Sequence, residues 1–393
     1  MARVLRVLLV LVVAVVVLSG GYLGYAAIRA SRPVTLPAPA GPYAVGRTIT
    51  EWTDRTRADP LAPHPGTPRR LSVWMWYPTT VSADANPAPY APGLWAGLQL
   101  GAPLGWGETS LADVRTHSTA DAPVAAGRFP VLVLEPGLGF SAPQYTAFAE
   151  SLAGRGYLVL GVTPTYSANL SVLDGAAVAA TEAGNPPAFE AADLHQGAAQ
   201  TAGDRLVDVW AADARFAAAQ AAAKPFADPA STVYIGHSFG GAAALEACRT
   251  DPHCAGAADL DGTQYGTVVH TGLTRPALLI GSENSCITGV CRPATPADQA
   301  DQTTARTMLA ASRGPAWRFR VRGAEHFDFS DYNAYYLATP IRSVLPLGDI
   351  TGAETLVNAY LGAFADHVTR GKPEPLLTGP SPFPEVEGQP PAP

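Results

Sequence analysis

A single short stretch, residues 236–241 (Gly-His-Ser-Phe-Gly-Gly), constrains the fold of this 393-residue chain more than any other. It directly follows the apolar run at 231–235 (Ser-Thr-Val-Tyr-Ile) and directly precedes an alanine-rich segment at 242–247. A buried strand, a sharp turn and a helix in that order form a nucleophile elbow, in which the turn exposes a serine hydroxyl above the sheet edge. Glycine at 236 and 240 suits the close approach of strand and helix. The pattern therefore predicts a nucleophile at Ser238.

The composition is that of a globular protein with a large core. Hydrophobic residues make up 47% of the chain and charged residues 15%, which is enough apolar material for one large domain or two smaller ones. The net charge is −7, and no basic run is longer than Arg69-Arg70. These charges argue against a nucleic-acid partner.

The N-terminal segment, residues 1–30, is predicted to lie outside the main fold. Residues 7–28 contain no charged side chain. As a helix they would extend roughly 33 Å, enough to cross a bilayer core of about 30 Å. We therefore expect a signal-anchor that attaches the protein to a membrane. A cleaved signal peptide, with its apolar region at 7–18, is the alternative, and the protein would then be secreted.

The four cysteines form two close pairs along the chain. Short local loops favour disulfides between Cys248 and Cys254 and between Cys286 and Cys291. Disulfides persist in oxidising compartments, so this pairing predicts an extracytoplasmic catalytic domain. Four free buried thiols are the alternative. The spacing does not match a zinc site.

Proline-rich segments mark the predicted domain boundaries. Residues 31–43 read as a semi-rigid tether. Residues 372–393 contain eight prolines and are expected to be disordered. Between them, residues 44–371 are predicted to form one catalytic domain.

Short apolar runs alternate with helical segments over most of that domain. Such runs are typical of strands in a sheet that is covered on both faces, so we expect an α/β fold with a mostly parallel, doubly wound sheet. A helix is expected around residues 206–217, although Asp213 interrupts its apolar stripe. Two long segments, 82–127 and 167–195, do not fit this alternation of strands and helices. We expect them to cover a substrate pocket, and extra helices that merely pack on the domain are the alternative. The predicted strands are Leu71–Tyr77, Phe129–Leu134, Tyr157–Val162, Thr232–Ile235, Ala255–Leu260, Ala277–Ile280 and Trp317–Val321.

A serine hydroxyl needs a base to accept its proton, and the base needs a carboxylate to orient it. In this architecture the three follow in the order Ser, Asp or Glu, His. His326 comes just after the last predicted strand, where a loop can carry an imidazole over the sheet edge. His270 is the rival base.

Three carboxylates are candidates for the orienting acid. Asp261 stands at the tip of the strand that follows the elbow helix, just before Gly262. Asp259 lies two residues deeper, where an ionised carboxylate is costly unless it is paired. Glu283 ends the next strand along the chain.

Several motifs together resemble the platelet-activating factor acetylhydrolase group of α/β-hydrolases. They are the elbow, the Asp 23 residues after Ser238, the Gly-Ala-Glu-His segment at 323–326, Trp-Tyr-Pro at 76–78 and Pro-Gly-Leu-Gly at 136–139. The resemblance covers roughly residues 70–335, and it implies the α/β-hydrolase fold and Asp261 as the acid. It also implies that the backbone N–H of Leu138 contributes to an oxyanion hole. Pro136 departs from the pattern, because the family usually has His there.

Polyester hydrolases and related lipases are a neighbouring resemblance, and they carry their acid after the following strand. In the matching segment, residues 281–285, this chain has Ser where that group has Asp. The difference favours Asp261 and leaves Glu283 as the fallback acid. The Asp261-Gly262 pair also resembles the chlorophyllase pattern.

Together these features predict a serine esterase or lipase that acts through an acyl-enzyme. The backbone N–H of Phe239, at the start of the elbow helix, would be the other oxyanion donor. No metal or cofactor is expected, because the chain has no H-E-x-x-H motif and its acidic residues are scattered. We expect a small ester substrate, and the family suggests short or modified acyl chains on lipids. A peptidase, a polyester hydrolase and an inactive surface-binding module are the alternatives.

Overall fold

The computed structural model describes residues 2–82, 86–101, 104–190, 198–336, 345–348, 350 and 352–389. Its strands are β1 (Val34–Thr35), β2 (Ala44–Ala58), β3 (Pro68–Thr79), β4 (Val114–Arg115), β5 (Ser118–Ala120), β6 (Phe129–Glu135), β7 (Leu158–Thr163), β8 (Ser171–Leu173), β9 (Ala176–Val178), β10 (Ala227–His237), β11 (Cys254–Leu260), β12 (Ala277–Gly281), β13 (Ala316–Val321) and β14 (Val386–Gln389). Its α-helices are α1 (Ala2–Ala30), α2 (Thr146–Gly154), α3 (Ala198–Ala222), α4 (Phe239–Thr250), α5 (Val268–Thr271), α6 (Pro296–Ala311), α7 (Tyr332–Tyr335), α8 (Ala353–Arg370) and α9 (Pro375–Thr378).

Ten strands form one mixed sheet in the order β14-β13-β12-β11-β10-β6-β7-β3-β2-β5. The six central strands from β13 to β7 run parallel, whereas β3 and β14 pair antiparallel with their inner neighbours. Helices α2 and α8 pack on one face with Trp74 and Leu132, and α3 and α4 pack on the other with Val73 and Val133. Burial on both faces explains why the central strands are continuously apolar.

The seven predicted strands all lie within observed strands or overlap them. The long strand β2 was not predicted, because most of its residues are polar and few are buried, so no apolar run marks it. The predicted helix corresponds to α3. Asp213 interrupts its apolar stripe because the carboxylate is buried against Arg69, with Oδ2 2.6 Å from Nη2, and against Arg57 at 2.8 Å.

The predicted tether, residues 31–43, differs from expectation. Strand β1 pairs in parallel with β4, and the N–H of Leu36 donates to the carbonyl of Arg115 at 3.0 Å. Leu36 is 2% exposed and joins the core beside α2 and α8. Part of this segment therefore packs on the domain, because Val34 and Leu36 and the backbone beside them find partners there.

The tail, residues 372–393, also differs from the expected disorder over its described part. Leu377 in α9 is buried, and β14 pairs antiparallel with β13. This pairing covers the backbone groups of β13, which would otherwise form an open edge of the sheet. Residues 390–393 lie outside the described residues.

Two features bear on location. Helix α1 includes a stretch, Arg3–Ala30, that is long and apolar enough to cross a membrane, with an 18-residue window of mean hydropathy 2.7. Disulfides join Cys248 to Cys254 and Cys286 to Cys291.

Candidate active site

The elbow is formed where β10 ends at His237 and α4 begins at Phe239. Ser238 lies between them with φ 55° and ψ −126°, a conformation that is strained for a residue other than glycine. A Cβ at position 240 would lie 2.3 Å from the carbonyl oxygen of Pro136, so glycine is needed for the close approach of α4 to the loop after β6. The serine side chain is thereby carried to the C-terminal edge of the sheet.

Ser238, His326 and Asp261 lie in one chain of hydrogen bonds. His326 Nε2 is 2.9 Å from Ser238 Oγ, and His326 Nδ1 is 2.8 Å from Asp261 Oδ2. Because a carboxylate only accepts, Nδ1 carries the hydrogen and Nε2 can accept the serine proton. This arrangement can deprotonate a hydroxyl and orient the base that does so.

Asp261 is held in a specific orientation. Its other oxygen, Oδ1, accepts from the backbone N–H of Ser282 at 2.7 Å. Burial would raise the pKa of the Asp261 carboxyl, but hydrogen bonds from His326, Ser282 and Ser285 together with the charge of His326 bring it below its ordinary value. Asp261 is therefore ionised, as an orienting acid must be.

The two other candidate acids lie elsewhere. Asp259 is fully buried and accepts from Gly262 N and Gln264 Nε2, each at 2.9 Å, and burial raises its pKa well above the usual range. Glu283 Oε2 accepts from Gly323 N at 2.7 Å, so the fallback acid supports the backbone of the loop that bears His326 rather than its imidazole. The rival base, His270, lies exposed in α5.

The two predicted oxyanion donors lie on segments that flank the serine. Phe239 is the first residue of α4, so its N–H has no acceptor within the helix. A Cβ built on Gly137 would lie 3.3 Å from Ser238 Cβ, which puts the backbone just before Leu138 against the nucleophile. Leu138 packs in the same apolar cluster as Phe239. Both remain predictions as oxyanion donors.

A cavity of about 330 Å³ adjoins these segments. Phe140 and Phe327, which line it, were not predicted as site residues, although they lie two residues from Leu138 and one from His326. No charged side chain is among the described residues that line it, and the two long segments contribute part of the wall, as residues 97–101 and 169–170. Residues 83–85, 102–103 and 191–195 of those segments lie outside the described residues. The apolar wall includes Leu98, Leu100, Leu138, Phe140, Leu170 and Phe327.

A larger cleft of about 790 Å³ lies along β13 and the loop at 288–298. None of the residues that line it is Ser238, Asp261 or His326 or a chain neighbour of these, whereas the smaller cavity is lined by Phe327, next to His326, and by Leu138. The size of the larger cleft therefore does not make it the site of the chemistry. Within the described residues, no group of three or more His, Cys, Asp or Glu side chains is arranged to hold a metal ion.

No protein-family model matches the chain, but it is similar to individual known proteins. A protein of Arthroderma benhamiae, named as a probable 1-alkyl-2-acetylglycerophosphocholine esterase, is 27% identical over 92% of this chain and 95% of its own length. The solved structure of a ferulic acid esterase from Streptomyces cinnamoneus is 29% identical, with a TM-score of 0.75 over 91% of this chain and 99% of that one.

The chain is an ester hydrolase with the α/β-hydrolase fold. The fold predicted from the sequence is confirmed, as is the prediction of an enzyme that acts on ester bonds. The resemblance to the acetylhydrolase group is supported at the coarser level of the esterases.

Proposed function

We propose that this ester hydrolase acts through Ser238, His326 and Asp261 and forms an acyl-enzyme. The observation that carries the proposal is the continuous chain of short hydrogen bonds from Ser238 Oγ through the imidazole to Asp261. A serine in a strained turn beside a correctly oriented base is the arrangement that nucleophilic catalysis by serine requires.

In the first half of the reaction, Ser238 Oγ bonds to the ester carbonyl carbon while His326 Nε2 accepts the hydroxyl proton. The carbonyl oxygen becomes an oxyanion, and the N–H groups of Phe239 and Leu138 donate to it. Donors of this kind are worth about 3–4 kcal/mol each in the transition state. The bond to the alcohol oxygen then breaks, and His326 gives its proton to the leaving alcohol.

In the second half, a water molecule attacks the acyl-enzyme and gives its proton to His326. The second tetrahedral intermediate collapses to release the carboxylic acid, and the proton returns to Ser238 Oγ. Asp261 remains ionised throughout and holds the imidazole in place, which agrees with its lowered pKa.

We propose carboxylic esters with an uncharged acyl group as the substrate class. The names of the two matched proteins concern an acetylated lipid and ferulic acid, and neither an acetyl nor a feruloyl group is charged. The cavity beside Leu138 supports this choice, because the described residues around it are apolar or neutral. A charged group buried there would lose its hydration without a partner.

We also propose that the protein works outside the cytoplasm, attached to a membrane by α1 or secreted if that segment is removed. The length and hydropathy of Arg3–Ala30 and the two disulfides support this location. The packing of residues 34–36 on the domain supports a short connection between α1 and the catalytic domain rather than a long linker.

The test uses the full-length protein in detergent and measures hydrolysis of the p-nitrophenyl esters of acetate, butyrate, ferulate and palmitate. The matched control is Ser238→Ala, which removes one oxygen atom. We expect turnover of at least one ester by the native protein and loss of about a thousandfold or more in the variant. Turnover that survives Ser238→Ala, or failure of a fluorophosphonate to label Ser238 in the folded protein, would overturn the proposed mechanism.

A further inference from the structure

Two buried side chains next to the candidate triad have no assigned role. Tyr145 and His237 are both fully buried, and Tyr145 Oη lies 2.7 Å from His237 Nδ1. The same Oη lies 2.9 Å from the backbone nitrogen of Gly137. The other ring nitrogen, His237 Nε2, lies 2.9 Å from the backbone carbonyl oxygen of His326. Together they form one continuous network.

The direction of each hydrogen bond follows from the groups at the two ends. The Gly137 N–H can only donate, and the His326 carbonyl can only accept. His237 Nε2 must therefore carry the ring hydrogen and donate it to His326 O. Its Nδ1 is then an acceptor, so Tyr145 donates its hydroxyl hydrogen to Nδ1 and accepts from Gly137. Every hydrogen in the network is used.

The network joins the three segments on which the proposed mechanism depends. Gly137 directly precedes Leu138, a proposed oxyanion donor, and His237 directly precedes Ser238. The carbonyl that receives the last hydrogen bond belongs to His326 itself. These segments follow three different strands and are up to 189 positions apart in the chain, so no local bond holds them in register.

We propose that Tyr145 and His237 are positioning residues that set the distance between the Leu138 backbone, the nucleophile and the base. The inference rests on the proposed function. Neither side chain reaches the substrate, since both are fully buried. Their effect is exerted through the backbone of Gly137 and of His326, whose placement decides where the oxyanion and the proton acceptor meet the ester.

The chemistry of both residues suits a fixed network. Burial, with the charge of neighbouring His326, holds the pKa of His237 well below its ordinary value, so its imidazole stays neutral and keeps Nδ1 as an acceptor. Burial raises the pKa of the Tyr145 hydroxyl, which therefore keeps its hydrogen. His237 is thus neither a second base nor a competitor for the serine proton.

The decisive variant is Tyr145→Phe, which removes only the hydroxyl that links Gly137 to His237. A misplacement of reacting groups by about 1 Å costs about a hundredfold in rate, so we expect kcat to fall by about tenfold to a hundredfold with little change in KM. The matched control is Tyr157→Phe. Tyr157 is equally buried, and its hydroxyl donates to Asp366 on α8 at 2.6 Å, away from the triad. This control should lose stability and keep kcat.

Two conservative changes at position 237 separate the two halves of the network. In His237→Gln the amide nitrogen can still donate to His326 O, whereas in His237→Asn the amide can replace only Nδ1. We expect the Gln variant to keep more of kcat than the Asn variant. We also expect the low-field proton resonance between His326 and Asp261 to shift in Tyr145→Phe and in His237→Asn.

The outcomes distinguish this inference from the proposed function. If the native protein turns over an ester and Tyr145→Phe has the same kcat as Tyr157→Phe, the positioning role is wrong while the triad stands. If Ser238→Ala retains the activity, the proposed mechanism fails. The resonance of the proton between His326 and Asp261 then still tests whether the network positions His326. An unchanged resonance in Tyr145→Phe overturns the inference in either case.

Discussion

Ser238 and Asp261 both have a left-handed backbone, with φ of 55° and 56°. Such a conformation costs on the order of 1–3 kcal/mol for a residue with a side chain, and it persists only where the surroundings enforce it. Here the sheet does so, because Ser238 N donates to Leu260 O and Asp261 N donates to Ile280 O, both at 2.8 Å. Backbone bonds between adjacent strand ends thus aim two side chains at one imidazole.

Substitution of single residues can test whether Asp261 or Glu283 orients the imidazole. Asp261→Asn should lower kcat by about a thousandfold to ten thousandfold. If the amide oxygen accepts from Ser282 N, the amide nitrogen faces Nδ1 and favours the wrong tautomer, and a neutral amide does not stabilise the imidazolium. Glu283→Gln is the matched control, since its amide oxygen can still accept from Gly323 N. Steady-state hydrolysis of p-nitrophenyl butyrate compares the two. A larger loss in Glu283→Gln would move the acid to the later strand.

At the C-terminal end of the domain, the tail is held by strand pairing. Strand β14 lies against β13, the strand that leads into the loop bearing His326. Val386 is 7% exposed, and the N–H of Arg322 donates to the carbonyl of Glu385 at 2.8 Å. The tail therefore completes the sheet beside a proposed catalytic loop.

Removal of residues 384–393 should therefore destabilise the domain. With net hydrogen-bond contributions of about 0.5–1.5 kcal/mol each, we expect a loss of about 2–4 kcal/mol in the free energy of unfolding. The exposed edge of β13 should also promote self-association. Thermal unfolding and size-exclusion chromatography measure both effects. Removal of 390–393 alone is the control, and equal behaviour of the two truncations would contradict a stabilising role for β14.

For the molecule as a whole, the parallel sheet brings the candidate residues together. Ser238, Asp261 and His326 follow β10, β11 and β13, and the C-terminal ends of these strands lie at one edge. The disulfides lie at different places relative to that edge. Cys286–Cys291 follows Ser282 and Ser285, which both bond Asp261, whereas Cys248–Cys254 joins the end of α4 to the start of β11.

The two disulfides should therefore have separable effects. Replacing either pair with serines should lower the free energy of unfolding by about 2 kcal/mol, the entropy of closing a short loop. The Cys286→Ser, Cys291→Ser protein should in addition have a lower kcat, because the loop that orients Asp261 is no longer held by the disulfide. The Cys248→Ser, Cys254→Ser protein should keep kcat. Calorimetry and ester hydrolysis on both proteins check this, and equal kcat values would contradict it.

The sequence by itself determined the central strands, the elbow and the type of fold. These features are local, since an apolar run, a glycine turn and an alanine-rich helix need only about twenty consecutive residues to be recognised. It also named Ser238, Asp261 and His326. In the structure the His326 imidazole lies 2.9 Å from Ser238 Oγ and 2.8 Å from Asp261 Oδ2. The choice of Asp261 over Glu283, however, depended on the family resemblance.

Only the tertiary structure decided which distant segments pair. The polar strand β2, the packing of residues 34–36 and the pairing of β14 all depend on partners that no local pattern reveals, because an edge strand needs only one apolar face or none. The bond between Tyr145 and His237 spans 92 positions. Burial makes that bond favourable, and burial is a property of the folded chain.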